Sequence, residues 1–168
     1  MAASRFKTSQ YSSGQFVESA GAVLFDFSQK EARTGEWLLS KGRRNCGEPR
    51  QDAALREVRE EAGYQCHLYP VSMPTRAPAV TDANDTPDQL RVHPGLTEPF
   101  MLSIREIGDS NIKLIWWYIA ELEENVLKMD GEGDFMAEFL DCDEAMRRLT
   151  FQGDKDVLAK AVSLVKGP

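Results

Sequence analysis

Histidine, cysteine and long apolar runs are scarce in this chain, and each scarcity closes a class of function. The two histidines, His67 and His93, have no partner at metal or triad spacing, so neither a zinc centre nor a serine–histidine couple is indicated. The three cysteines, Cys46, Cys66 and Cys142, are an odd set without CxxC spacing, which argues for reduced thiols rather than a disulfide framework or a zinc knuckle. The longest apolar runs, residues 20–25 and 114–120, fall well short of the roughly 20 residues that span a bilayer. The opening stretch MAASRFKTSQYSSGQF carries no apolar leader. Positive charge is also short: 20 Lys and Arg face 27 Asp and Glu, a net charge of -7, the reverse of a general nucleic-acid footprint. No internal repeat is visible. The expectation is a soluble, cytoplasmic protein with no membrane attachment and no general nucleic-acid binding. Any polyanionic ligand must meet a local basic patch, and nothing in the sequence sets an oligomeric state.

What remains is ordinary. With 168 residues, 42% hydrophobic and 28% charged, the chain has the material for one globular domain with a sizeable core. Residues 1–15, rich in Ser and poor in large aliphatics, read as a flexible arm. Strands are expected at residues 16–27 and 37–41, joined by the charged turn SQKEARTGE, and a helix at 49–62. That helix has Pro49 in its first turn, Gly63 just past its end, and Ala54, Leu55, Val58 and Ala62 as an apolar stripe. Further strands are expected at 65–69, 100–106, 113–122 and 137–141, and helices at 144–149 and 154–165. Six of the eight prolines fall in residues 70–99, which read as a long loop, either disordered or built for binding. Strands mixed with two or three helices make an α+β domain of two or three layers.

The chemistry concentrates in residues 42–64, GRRNCGEPRQDAALREVREEAGY. On a helix, Glu57, Glu60 and Glu61 fall within about 100 degrees of arc, beside the apolar stripe but not on it. Like charges at these spacings repel, and the repulsion grows as the patch loses water. An arbitrary acidic triplet would simply face solvent; hard divalent cations would instead explain it, since Mg²⁺ takes carboxylate oxygens and leaves positions for phosphate. The flanks decide between the two. Gly42, Glu48, Arg56, Glu57, apolar Val58, Glu60, Glu61 and Gly63 reproduce Gly-x5-Glu-x7-Arg-Glu-U-x-Glu-Glu-x-Gly-U, a coincidence expected in about one chain in ten million. This pattern resembles the Nudix hydrolase signature. Tyr64, where the family has an aliphatic residue, departs from it in packing rather than chemistry.

The resemblance implies a Nudix-type α/β/α sandwich, with a mixed sheet between helices, over residues 16–168. It also implies a phosphoanhydride hydrolase dependent on Mg²⁺ or Mn²⁺. Glu57, Glu60 and Glu61 carry over as metal ligands with the Lys41 carbonyl, and the general base as Glu60, Glu61 or an acid outside the box. Glu132 and Asp134, in the acidic loop DGEGDFMAEF, occupy that outer position, and Asp134 is the residue taken forward. Gly42 would let the backbone approach a metal or phosphate closely. Glu48, placed where an N-cap would sit, would pair with Arg56 to hold the loop to the helix.

The box leaves the substrate open. Lys41, Arg43, Arg44 and Arg50 put four positive charges around Glu48, which suits a small molecule with many phosphates. WLLSKGRRNCGE and FQGDKDVLAKAVSLV resemble the corresponding stretches of the diphosphoinositol and diadenosine polyphosphate phosphohydrolases, although Ser40 stands where those have Pro. Trp116 and Tyr118 share one strand face and Trp117 the other. Trp37, Tyr118 or a residue of the 70–99 loop would be the stacking partner for a base. The basic cluster outweighs any base platform, so a diphosphoinositol polyphosphate comes first and a dinucleoside polyphosphate second. A Nudix-like domain that only binds is the reading from another class.

Overall fold

The computed structural model describes residues 6–26, 39–79, 82, 87–123 and 138–167. Its centre is β7 (Asn111–Leu122), whose run NIKLIWWYIAEL has the aromatic and β-branched content that a buried central strand requires. β1 (Phe16–Phe25) lies parallel to β7 along ten residue pairs, from Phe16 opposite Ile112 to Phe25 opposite Glu121. β2 (Lys41–Arg43) pairs antiparallel with the outer edge of β1. On the other side of β7, β6 (Met101–Ile107) pairs with its first half and β3 (Cys66–Leu68) with its last residues, both antiparallel. The sheet is therefore five-stranded and mixed.

Strand alternation sends two sets of side chains to opposite faces. Ala20, Ala22, Tyr118 and Ala120 meet α1 (Arg50–Ala62), whose Ala53, Ala54, Val58 and Ala62 are buried. Small residues on both sides let helix and sheet approach closely. Val23, Ile115, Trp117 and Ile119 meet Val157, Leu158 and Ala161 of α3 (Gln152–Lys166) on the other face. α2 (Cys142–Arg148) precedes α3 and leads to Leu149, which joins the same cluster. The result is the expected sandwich of helices about a mixed sheet.

Five expectations need correction. Residues 70–99 are not all irregular: β4 (Val71–Thr75) and β5 (Arg91–Leu96) form a separate antiparallel ribbon. Pro74 and Pro94 hid it, yet in a two-stranded ribbon both strands are edges and tolerate a missing N–H. The second strand, expected at 37–41, is Lys41–Arg43 among the described residues; residues 39–40 carry no strand, and 37–38 lie outside the described residues. Gly21, whose missing side chain leaves room for Ser40 and Lys41, sets that register. Residues 138–141 form no strand, because Asp141 caps α2 by accepting from the Glu144 N–H at 3.0 Å. Pro49, not Glu48, occupies the N-cap of α1, and α3 begins at Gln152, which puts Asp154 in its first turn. Residues 6–14 are exposed and carry no helix or strand. The turn at 28–36, Trp37, Glu132 and Asp134 lie outside the described residues.

Candidate functional site

The seven residues of the box meet where β2, the loop after it and α1 come together. β2 and α1 converge because Gly42 has no side chain: a β-carbon there would collide with the Glu57 carboxylate. A metal or phosphate was expected to use this close approach; the structure puts Glu57 itself in that space. Gly63 then ends α1 at φ 75°, the left-handed region, with its N–H donating to the Arg59 carbonyl.

Arg56 is the hub. Its Nε donates to Glu48 Oε1 at 2.8 Å and its Nη2 to Glu48 Oε2 at 3.1 Å, a two-pronged pair that clamps the loop to the helix. Its Nη1 donates to Glu57 and to Glu60, each at 2.7 Å, and Nη2 also reaches the Arg43 carbonyl at 3.0 Å. The Glu48 bond is the main reason the guanidinium holds its proton still more tightly than usual. Glu48 itself sits below the ordinary carboxylate range because of that bond. Its side chain takes the Asn45 N–H at 2.8 Å instead of a helix N–H, which is why it does not cap α1.

Glu61 points elsewhere. Its Oε2 accepts the Lys41 N–H at 3.0 Å, and burial pushes the carboxyl above its ordinary value against that bond and one from Ser40. Glu57, Glu60 and Glu61 thus lie on one helical face but turn to two partners, and among the described residues no three acidic, His or Cys side chains converge on one point. The fit to a hard divalent cation lies in the donors: Glu57 and Glu60 are held at Arg56, which Glu48 also pairs, and Glu61 follows on the same helix with its carboxylate at the Lys41 N–H.

The four expected cations are split by the sheet. Arg44 and Arg50 both turn to Glu18 of β1: Arg44 Nη2 lies 2.9 Å from Oε2 and Arg50 Nη2 2.6 Å from Oε1. Trp116 Nε1 donates to the same carboxylate at 3.1 Å, and Arg50 stacks on the Trp116 ring at 4.4 Å. Burial would raise the Glu18 carboxyl, but these donors together hold it below its ordinary value. Arg44 also ties the loop by donating to the Glu48 carbonyl at 2.8 Å. Lys41 sends its side chain to the α3 face, over the Trp117 ring at 5.7 Å, where burial lowers its proton affinity. Arg43 is exposed, and its side chain has no ion pair among the described residues.

Glu18 is the residue the sequence reading missed; an acid inside an otherwise apolar strand was the available signal. Asp154 was missed too, because the helix was begun there rather than at Gln152. Of the stacking residues considered, Tyr118 is buried under α1, only 4% exposed, and Trp37 lies outside the described residues; Trp116, on the same strand face as Tyr118, carries Arg50. Tyr64 packs on Phe139 with ring centroids 5.0 Å apart, consistent with a packing role. His67 faces Glu121 across the β3–β7 ladder at 3.4 Å.

Comparison with known proteins follows the same lines. The family described as NUDIX domain matches residues 16–161. A solved structure titled NUDIX hydrolase from Nitrosomonas europaea superposes with a TM-score of 0.50 at 11% identity, covering 86% of each chain. The solution structure of the E. coli ORF135 protein gives 0.52 at 15% identity, covering 88% of this chain and 89% of that one. At such identities the likeness concerns the fold. No curated protein sequence matches. No helix of the described residues is long and apolar enough to cross a membrane.

Proposed function

Since the chain belongs to the Nudix family, matched over residues 16–161, and is a Nudix hydrolase, we propose that it cleaves a phosphoanhydride of a diphosphoinositol polyphosphate by attack of water, with a divalent cation. The observation that carries this reading is Glu57 and Glu60 held at Arg56, with Glu61 beside them on α1 at the Lys41 N–H and Gly42 leaving room for Glu57 at β2. Those three carboxylates and the Lys41 carbonyl would hold Mg²⁺ or Mn²⁺, which when bound offsets phosphate charge and makes water easier to deprotonate. Arg56 keeps the carboxylates oriented and, through Glu48, keeps the loop in place. Glu60 or Glu61 takes the proton from the attacking water. Asp134 is the acid outside the box proposed for the same task.

The choice of substrate rests on the surroundings of the box. Arg43, free of an ion pair among the described residues, stands beside the acidic cluster and meets phosphate oxygens. Arg44 and Arg50, each paired with Glu18, shape the loop and lend the remainder of their charge. Among the described residues of the sheet, Tyr118 under α1 and Trp116 under Arg50 offer a base no open ring, which supports a polyphosphorylated ring over a dinucleotide. A cytoplasmic location agrees with free cysteines and phosphorylated small molecules.

The test is product analysis with Mg²⁺ on diphosphoinositol pentakisphosphate, diadenosine tetraphosphate, ADP-ribose and capped RNA. The expected result is fastest turnover of the first, lost in Glu60→Gln/Glu61→Gln. Preference for the second would move the assignment to dinucleoside polyphosphates. Absence of turnover on the whole panel by folded protein would overturn the proposed substrate class.

A further inference from the structure

The α3 face of the sheet carries charged side chains that the box does not use. Asp154, in the first turn of α3, is 1% exposed, yet its Oδ2 has no hydrogen-bond partner among the described residues. Two cations stand on either side without closing on it: Lys41 Nζ lies 3.9 Å from Oδ2 and Arg105 Nη2 3.8 Å from Oδ1. Lys41 comes from β2 and Arg105 from β6, so the carboxylate lies above β1 and β7, the two strands between them. Register places Lys113 of β7 directly opposite Arg105. Alternation puts both on the face of Ile115 and Trp117, together with Ser19, which pairs with Ile115. The Ser19 hydroxyl is fully buried and also lacks a partner among the described residues.

A structural ion pair would bring its donors to about 2.7–2.9 Å, and a buried acceptor is normally bonded. Here two cations flank one carboxylate at longer range, Lys113 shares their face, and two buried polar oxygens have no partner among the described residues. The surplus of positive charge excludes a cation as guest. A protonated phosphate group answers both requirements: its anionic oxygens suit Lys41, Arg105 and Lys113, and its O–H suits Asp154. The site also adjoins the box, because the Lys41 N–H donates to Glu61 while its side chain crosses to the α3 face.

We propose that Lys41, Arg105 and Lys113, set apart by Asp154, form a second phosphate subsite on the α3 face, for a substrate phosphate other than the two joined by the scissile bond. That the guest is part of the substrate rests on the pyrophosphohydrolase reading; that the cationic group takes phosphate does not.

The experiment uses inorganic pyrophosphate with divalent metal removed by EDTA, so that the acidic box repels the probe. The Trp117 indole N–H, which donates to Ser103 Oγ at 3.0 Å beneath Lys41, is the reporter in ¹H–¹⁵N NMR. Pyrophosphate is expected to shift that resonance saturably, and Arg105→Ala and Lys113→Ala to weaken binding about ten- to a hundredfold. Arg147→Ala, an exposed α2 residue paired with Glu144, is expected to bind as wild type. In turnover with Mg²⁺, Arg105→Ala is expected to raise KM for a substrate bearing further phosphates, leave it unchanged for ADP-ribose, and spare kcat. Arginine-dependent pyrophosphate binding supports the site even where no substrate turns over. An unmoved Trp117 signal, or wild-type affinity in both folded variants, overturns the site, and an equal KM increase on both substrates overturns its part in substrate binding.

Discussion

Gly42 shows how one missing side chain governs the box. Because a β-carbon there would meet the Glu57 carboxylate, Gly42→Ala must displace either Glu57 or β2. A shift of about 1 Å in a catalytic group can cost a hundredfold in rate, so kcat is expected to fall by about that factor while far-UV circular dichroism stays native. Retained kcat would mean that Glu57 is free to move without consequence. Glu18 gives a second test. Its carboxyl is held below the ordinary 4.5 in the folded chain, so its contribution is full above that value and is lost as pH falls through the lower folded one. Glu18→Gln is expected to cost about 1–2 kcal/mol at neutral pH, with the gap to wild type closing in acid; urea unfolding at several pH values reads both. The box was legible in sequence because its spacing is local to one turn, loop and helix. The pairing of Arg44 and Arg50 was not, since their partner lies 26 and 32 residues away, and only the β1–β2 ladder brings it to them.

Helix α1 was legible nearly to the residue, since its stripe, its proline and its terminal glycine agree. Gly63, at φ 75°, is the part of that agreement that a substitution can test. Gly63→Ala forces a side chain into the left-handed region and is expected to cost about 1–2 kcal/mol, read as a lower urea midpoint with unchanged slope. The β4–β5 ribbon was the reverse case. Val71 and Met73 alternate with exposed Ser72 and Pro74, a period of two that the prolines obscured. The ribbon contributes through its inner face: Met73 is 3% exposed in the cluster shared with Trp117 and α3. Met73→Ala is expected to lose about 2–5 kcal/mol in equilibrium unfolding, whereas Ser72→Ala on the outer face should change little. Equal effects from the two would mean that the ribbon does not rest on the core.

The sheet separates two polar regions of opposite sign, the acidic box at the end of β2 and the cationic group on the α3 face, with Lys41 bordering both. The chain as a whole carries a net charge of -7, so cations are attracted to it in general, and only a built site should distinguish Mg²⁺ from Na⁺. A ligand that binds only the folded state adds about 2.7 kcal/mol at a hundred times its Kd. In a chain of 168 residues each kcal/mol moves Tm by about 2–4 °C, so Mg²⁺ at that excess is expected to raise Tm by about 5–11 °C. NaCl at matched ionic strength controls for general screening and is expected to produce a much smaller shift. Glu57→Gln/Glu60→Gln should start from a lower Tm, because both lose their ion pairs with Arg56, and should lose most of the Mg²⁺ increment measured from that lower baseline. An increment equal in NaCl, or unchanged in the double variant, would place the cation effect on the surface at large rather than at the box.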